Sequence, residues 1–442
     1  MLQINDNCWR GKEFLRDEVK DLAMLQGKSI KTLCSEYENL LVFPFSVDNT
    51  EDRIGNSTIF TLESVFDNPD AAIMRTGNIV GCIGKGDANL RISSRFEQGT
   101  HDYFMQYMLS KVLHFNIFDL NYSSNDEDVL NFLMALFPVF LHHALAQGIY
   151  REYRRHEYND TRLRGTVDVA KFLKEDVPFT GNVAYVRRDY DSDNSVTQLV
   201  QHTIGYMMTT TLGRGLLEDD ERTAQDVKKI SSVTPTYNQE NRRKVIMENL
   251  RPKVHPFFTE YYPLQRLCLQ ILREEKLRYG EADDEVHGIL FDGAWLWEEY
   301  LSTILEPMGF QHPHNKQGKG GFFIYEDNTG YRMPDFYRKD FVLDAKYKRL
   351  EEKDRISELE VSDQNQMIVY LKHLKVQEGG FVCPLNRKEQ LALPQARLKS
   401  GHEHIAIYGI QIPDTADDFV SFSEMMRVQE ESLKDRIETS ID

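Results

Sequence analysis

Two short segments constrain this chain more than any others. They are Met333-Pro334-Asp335 and, past the turn residues Arg338-Lys339-Asp340, the run Phe341-Val342-Leu343-Asp344-Ala345-Lys346. The apolar run reads as a strand, and strand side chains alternate between faces. Asp344 and Lys346 therefore share one face, while Ala345 points to the other. The spacing predicts a hairpin in which Asp335 ends the first strand and lies beside Asp344. Two carboxylates and one ammonium then converge at a strand end. Asp-x-Lys alone usually marks a solvated face, and Pro-Asp alone is an ordinary turn signal. Together, around an apolar run, they are much more specific.

Carboxylates are the hard oxygen ligands that Mg²⁺ requires, with Mn²⁺ an expected substitute. A metal held there can stabilise charge building on a phosphate. Lys346 can position the attacking water or neutralise the transition state. The pattern is thus that of metal-dependent phosphodiester hydrolysis. Two flanking elements strengthen it. Upstream, Ala294-Trp295-Leu296-Trp297-Glu298-Glu299-Tyr300-Leu301 reads as an aromatic-rich helix with paired acids. Either glutamate alone is as readily a solvated helix position. Downstream, Gln366 and Tyr370 are four apart and share a helix face.

This order of helical Glu, Pro-Asp, Asp-x-Lys and Gln-x-x-x-Tyr resembles the PD-(D/E)XK nuclease superfamily. The subtype is the one with the extra Gln-Tyr element seen in RecB-like nucleases. The resemblance favours Glu298 over Glu299, and Gln366 over Gln364 because Tyr370 follows it at the family interval. It implies catalytic roles for Asp335, Asp344, Lys346, Glu298, Gln366 and Tyr370. It also implies metal ligation by Asp335, Asp344, Glu298 and Ala345.

Composition bounds the rest. At 442 residues the chain is too long for one compact domain. A hydrophobic fraction of 41% and a charged fraction of 28% are those of a globular protein. There is no apolar stretch long enough to span a bilayer, so no membrane association is expected. The start, Met1-Leu2-Gln3-Ile4-Asn5-Asp6, has no secretory pattern. The five scattered cysteines form no C-x-x-C pair, which suits reduced thiols and a cytoplasmic location. A net charge of -17 argues against a protein that coats nucleic acid unaided. A local basic groove suffices for a nuclease. Of the basic clusters, the one adjoining the hairpin supplies the expected DNA contacts Lys348, Arg349 and Lys353. Solvated surface is the ordinary reading of the others, among them Arg151, Arg154 and Arg155.

The predicted fold class is α+β and multidomain. Residues 1–125 read as a β-rich domain for partner docking, with a hairpin turn at Lys85-Gly86-Asp87 and a helix near Met105 to His114. Gly84-Lys85-Gly86 lacks the glycine spacing and hydroxyl residue of a phosphate loop. Residues 126–287 read as mostly helical, opening with an apolar helix that reaches about Glu152. Residues 288–412 read as the nuclease domain, in the order α-β-β-β-α-β-β, a mixed sheet with flanking helices. Residues 413–442 read as an acidic tail, a terminal helix with a loose end.

Leu163-Arg164-Gly165-Thr166-Val167-Asp168, and Asp191 to Asn194 followed by a helix, extend the resemblance. With the nuclease motifs, they make the chain resemble McrC, the nuclease subunit of McrBC modification-dependent restriction systems. Thr166 and Ser195 stand where many members carry Arg. The resemblance implies an McrB-like AAA+ GTPase oligomer as partner, and double-stranded, modified DNA as substrate. The alternatives are a non-catalytic activator of a GTPase ring and a free-standing RecB-like repair nuclease.

Overall fold

The computed structural model describes residues 2–37, 40–44, 53–85, 88–97, 102–113, 126–179, 181–277, 286–313, 321–386, 393–399 and 401–440. The chain divides into two compact units: residues 1–124 together with 283–442, and residues 125–282. Among the described residues, no helix is long and apolar enough to cross a membrane. The fold is mixed α and β with several sheets.

Among the described residues, the first unit holds two sheets built mainly from its N-terminal part, and a five-stranded sheet and the two-stranded sheet Phe322–Phe323 with Tyr331–Arg332 from its C-terminal part. A five-stranded sheet runs in the order Leu2–Asn5, Ala88–Ser93, Ile79–Lys85, Val286–Asp292, Leu40–Phe43. The expected hairpin joins Ile79–Lys85 to Ala88–Ser93 in antiparallel register. Residues 86 and 87 of its turn lie outside the described residues. Val286–Asp292 comes from much later in the chain, yet it pairs with both Ile79–Lys85 and Leu40–Phe43. A three-stranded antiparallel sheet, Lys12–Leu15, Asn68–Thr76 and Phe60–Val65, shares a core with it through Phe14, Met74, Ile83 and Leu290.

The C-terminal part supplies the elements that build the site. These are α1 (Gly293–Leu305), β1 (Phe336–Tyr337), β2 (Phe341–Ala345), α2 (Val361–Leu374), β3 (Glu378–Leu385), β4 (Gln395–Arg397), β5 (His404–Gln411) and α3 (Phe419–Thr439). The sheet order is β1-β2-β3-β5-β4. The inner strands β2, β3 and β5 are parallel, and β1 and β4 run antiparallel at the edges. Inner strands buried on both faces need near-continuous apolar sequence. Phe341-Val342-Leu343 and Ile405-Ala406-Ile407 provide it, all buried. On one face, Met367, Tyr370 and Leu371 of α2 pack against Val342, Phe381, Cys383 and Ile407.

The segment after Pro413 does more than end the chain. Its helix α3 buries Met426, Leu433 and Ile437 fully. Glu430, in the same stripe, accepts hydrogen bonds from Tyr107 (2.8 Å) and Tyr300 (2.9 Å). It also pairs with Lys111 at 2.9 Å. Three donors offset the cost of burying that carboxylate.

The second unit is mostly helical and also carries a three-stranded antiparallel sheet, Glu152–Asp160, Val183–Asp191 and Thr166–Val167. The apolar helix expected to reach Glu152 ends at Ala146, and Glu152 opens a strand instead. Glu-Tyr-Arg-Arg-His-Glu-Tyr is mostly polar on both faces, so no apolar period betrays it. The two middle motifs serve the backbone. Gly165 lies so close to the neighbouring strand that a Cβ would fall 2.2 Å from the Val186 carbonyl oxygen. Asp168 caps Val169–Glu175, accepting from Lys171 N at 3.0 Å. Asn194 caps Ser195–Met207, accepting from the N–H groups of Val196 and Thr197.

Candidate active site

The hairpin between β1 and β2 sets the site. Its register pairs Phe336 with Leu343 and Tyr337 with Val342. Asp335 does not end a strand, as expected from the sequence, but directly precedes β1. Pro334 explains this, since a proline cannot donate to a ladder. The result is still a carboxylate beside β2. The main-chain N–H of Ala345 donates to Asp335 Oδ2 at 2.6 Å.

Asp344, 1% exposed, sits near the end of β2 on the face covered by α2. Lys346 lies just past the strand, where its own N–H donates to Val382 O. Its ammonium is 2.6 Å from Asp344 Oδ2 and 3.2 Å from Asp363 Oδ1. Glu298 comes from α1, whose N-cap Asp292 accepts from Ala294 N at 2.9 Å. Gly293 opens that helix against Tyr347; a Cβ there would fall 2.8 Å from the ring. The glycine thus lets α1 approach the segment that carries Lys346. Trp297 anchors α1 to the sheet by donating to Val382 O at 3.2 Å.

The electrostatics follow from crowding acids out of water. Burial, then the nearby charges of Asp344 and Glu298, push Asp335 well above the usual carboxylate range. Burial also raises Asp344, although Lys346 opposes the shift. Burial, then Glu299, Asp344 and Asp292, push Glu298 up to about 8. Burial disfavours the Lys346 charge, but Asp344 and Asp363 outweigh it and hold the ammonium protonated. Three acids that cannot all ionise at ordinary pH mark a site short of positive charge.

A divalent cation would supply that charge. Among the described residues, no three His, Cys, Asp or Glu side chains are arranged so that together they could hold a metal ion. The chemistry of the donors, though not their present spacing, is that of a hard-ion site. The set offers carboxylate oxygens from Asp335, Asp344 and Glu298, and the buried Asp344 Oδ2 makes no hydrogen bond of good geometry. The Lys346 ammonium meets that oxygen as an ion pair. A main-chain carbonyl, water and phosphate oxygens complete such spheres routinely for Mg²⁺.

The Gln-Tyr element lies alongside. Gln366 donates to the Tyr370 hydroxyl at 2.7 Å, and that hydroxyl donates to Met333 O at 2.7 Å. Tyr370 thereby ties α2 to the segment leading into Asp335. Burial, then Asp344, raise its pKa. Of the expected DNA contacts, Lys348 pairs with Asp363 and Glu360, each at 3.1 Å. Arg349 donates to the Arg95 carbonyl at 2.7 Å. Lys353 caps a short 3-10 turn and is exposed.

Sequence reasoning passed over two residues at this site. His312 has its Nδ1 2.8 Å from the Asp335 carbonyl oxygen and its Nε2 3.8 Å from Glu298 Oε1. Its ring stacks on Phe336 with centroids 4.7 Å apart. Asp363 bridges the two lysines. Neither stands in a motif; only the spacing of Asp363 before Gln366 on one helix could have suggested it.

A family model described as "McrBC 5-methylcytosine restriction system component" matches residues 74–384, well over half of the chain. Among solved structures, the chain resembles a refined half-complex from the tetradecameric assembly of Thermococcus gammatolerans McrB AAA+ hexamers with bound McrC. That match has 13% identity, covers 98% of this chain and 99% of that one, and has a TM-score of 0.46. A second is the cryo-EM structure of the Thermococcus gammatolerans McrBC complex, at 12% identity, 71% and 89% coverage and a TM-score of 0.33. No curated protein matches.

Proposed function

Because this chain belongs to the McrBC 5-methylcytosine restriction system component family, we propose that it is the McrC-type subunit and a Mg²⁺-dependent DNA endonuclease. The observation that carries the reading is the convergence at one strand end. Ala345 N–H holds Asp335, Lys346 pairs with Asp344, and the charges of Asp344 and Glu298 both act on Asp335. Buried carboxylates with raised pKa values gathered round one lysine are the arrangement that functional sites favour.

Asp335, Asp344 and Glu298 would hold the ion, with the Ala345 carbonyl as a further ligand. The ion supplies Lewis-acid stabilisation of charge developing on the phosphate. Lys346 places a fixed positive charge beside the same phosphate. Tyr370 and Gln366 orient the approach to Asp335 through Met333. Lys348, Arg349 and Lys353 line the exit of the strand toward the DNA backbone.

We further propose an McrB-like AAA+ GTPase oligomer as the activating partner and modified double-stranded DNA as substrate. Three features support this: family membership, the absence of a phosphate loop in the sequence, and the net charge of -17. An acidic protein repels DNA outside its local groove. A ring that already holds the duplex raises its effective concentration at the site. The test is cleavage of a methylated plasmid in Mg²⁺ by the chain alone, with the GTPase and GTP, and by Asp344→Ala with the same partner. Cleavage confined to the wild-type complex is expected. Full cleavage by the Asp344→Ala complex would refute the site.

A further inference from the structure

Asp363 is a buried carboxylate, 7% exposed, on the first turn of α2. It is not among the acids expected to hold the metal. Its Oδ1 lies 3.2 Å from Lys346 Nζ and its Oδ2 lies 3.1 Å from Lys348 Nζ. One carboxylate therefore ties together the two lysines that follow β2. Its place in the first helical turn suits a negative charge, because the helix dipole and unpaired N–H groups favour an anion there.

Lysine needs such an anchor. Its flexible stem carries about 2 kcal/mol of rotamer entropy, so a free ammonium wanders. Lys346 has two anchors, and they differ in kind. Asp344 Oδ2, at 2.6 Å, belongs to the acids that a metal would engage. Asp363 does not. When a divalent ion neutralises Asp344, the pull of that carboxylate on Lys346 falls and the ion itself repels the ammonium. Asp363 is then the anion that remains to hold it.

We propose that Asp363 is a positioning residue that keeps the Lys346 ammonium aimed at the scissile phosphate once the metal is bound, with Lys348 held alongside. This role rests on the nuclease reading above. Asp363 touches neither metal nor phosphate; it acts through the lysines. The other acid on Lys348, Glu360, precedes the same helix and is more exposed. It makes no ion pair with Lys346, which provides a matched control.

The experiment uses the full chain with its GTPase partner in single-turnover cleavage, and calorimetry of the chain with Mn²⁺. Asp363→Asn keeps the shape and removes the charge. It is expected to slow cleavage about 10–100-fold, the usual cost of losing a partner that orients a functional group. Mn²⁺ affinity should stay at the wild-type value. Asp363→Glu should recover much of the rate, and Glu360→Gln should cleave like wild type. Asp363→Ser serves in the same way if Asp363→Asn does not fold. The proposal is overturned if Asp363→Asn cleaves normally, if it loses Mn²⁺ binding, if Asp363→Glu recovers nothing, or if Glu360→Gln is equally slow. Cleavage by wild type but undiminished cleavage by Asp363→Asn removes only the role of Asp363. No metal-dependent cleavage by wild type removes the nuclease reading and this role with it.

Discussion

The main-chain N–H of Ala345 donates to Asp335 Oδ2 at 2.6 Å, so the backbone of one strand fixes the carboxylate that precedes its neighbour. Ladder register and site geometry are therefore one property. A one-residue slip between β1 and β2 would turn Asp344 to the opposite face and separate the two acids.

Replacing Asp344 by Asn should abolish cleavage without lowering stability. Burial raises the pKa of this carboxyl, against the opposing pull of Lys346, and Asp363 adds to the rise, so its charged form is a burden on the fold. Asn keeps the volume and removes the repulsion. Thermal unfolding of the metal-free chain should show a midpoint at or above that of wild type. A clear fall would mean that Asp344 serves the fold instead.

Lys346→Met should stop turnover while leaving Mn²⁺ binding at least as tight as in wild type. An ammonium cannot ligate a cation, and this one competes for Asp344 Oδ2 at 2.6 Å. Calorimetry with Mn²⁺ separates the two effects. Loss of the binding isotherm would contradict the role assigned to Lys346.

Glu430→Leu should lower stability by roughly 2–4 kcal/mol, the cost of stranding buried hydrogen-bond donors and a paired cation. Tyr107, Tyr300 and Lys111 all lose their acceptor. Denaturant unfolding of the full chain measures this. A midpoint unchanged from wild type would show that the three donors find other partners.

The second unit should lose stability in mild acid through His202. That ring is fully buried with neither nitrogen hydrogen-bonded, and burial lowers its pKa from 6.5 to about 4. Between those values the unfolded chain binds a proton that the folded one refuses. Stability present above pH 6.5 is thus lost as pH falls toward about 4, by about 3 kcal/mol in all. His202→Leu removes the titration, so its unfolding midpoint should vary less with pH across that window. Identical pH profiles for the two proteins would exclude His202 as the cause.

The site strands were legible because their information is local. Alternation along Phe341 to Lys346 places Asp344 and Lys346 on one face without reference to the rest of the chain, and a short turn returns Asp335 to them. The apolar runs gave the helices and the long buried strands, but not the break of Tyr331 to Tyr337 into two short strands nor the edge strand β4, which carry no apolar run of strand length. Glu298, Gln366 and Tyr370 were found only through resemblance to a known family, since a glutamate on a helix has no periodic signature of function.

What the sequence determined by itself, then, is what neighbours along the chain can enforce: strand alternation, the hairpin that returns Asp335 to Asp344, and the chemistry of the residues on one strand face. Tertiary structure alone decided three other things. It placed Val286–Asp292 inside the N-terminal sheet. It put Glu430 beneath two tyrosines from distant helices. It also brought His312 and Asp363 to the acids of the hairpin. The physical reason is the same in each case. Burial and pairing between remote segments depend on which surfaces meet, and a polar residue carries no periodic mark of the partner that will satisfy it. The strand Glu152–Asp160 stayed hidden for a related reason: largely polar on both faces, it is held by its hydrogen-bonded neighbour and not by an apolar face of its own.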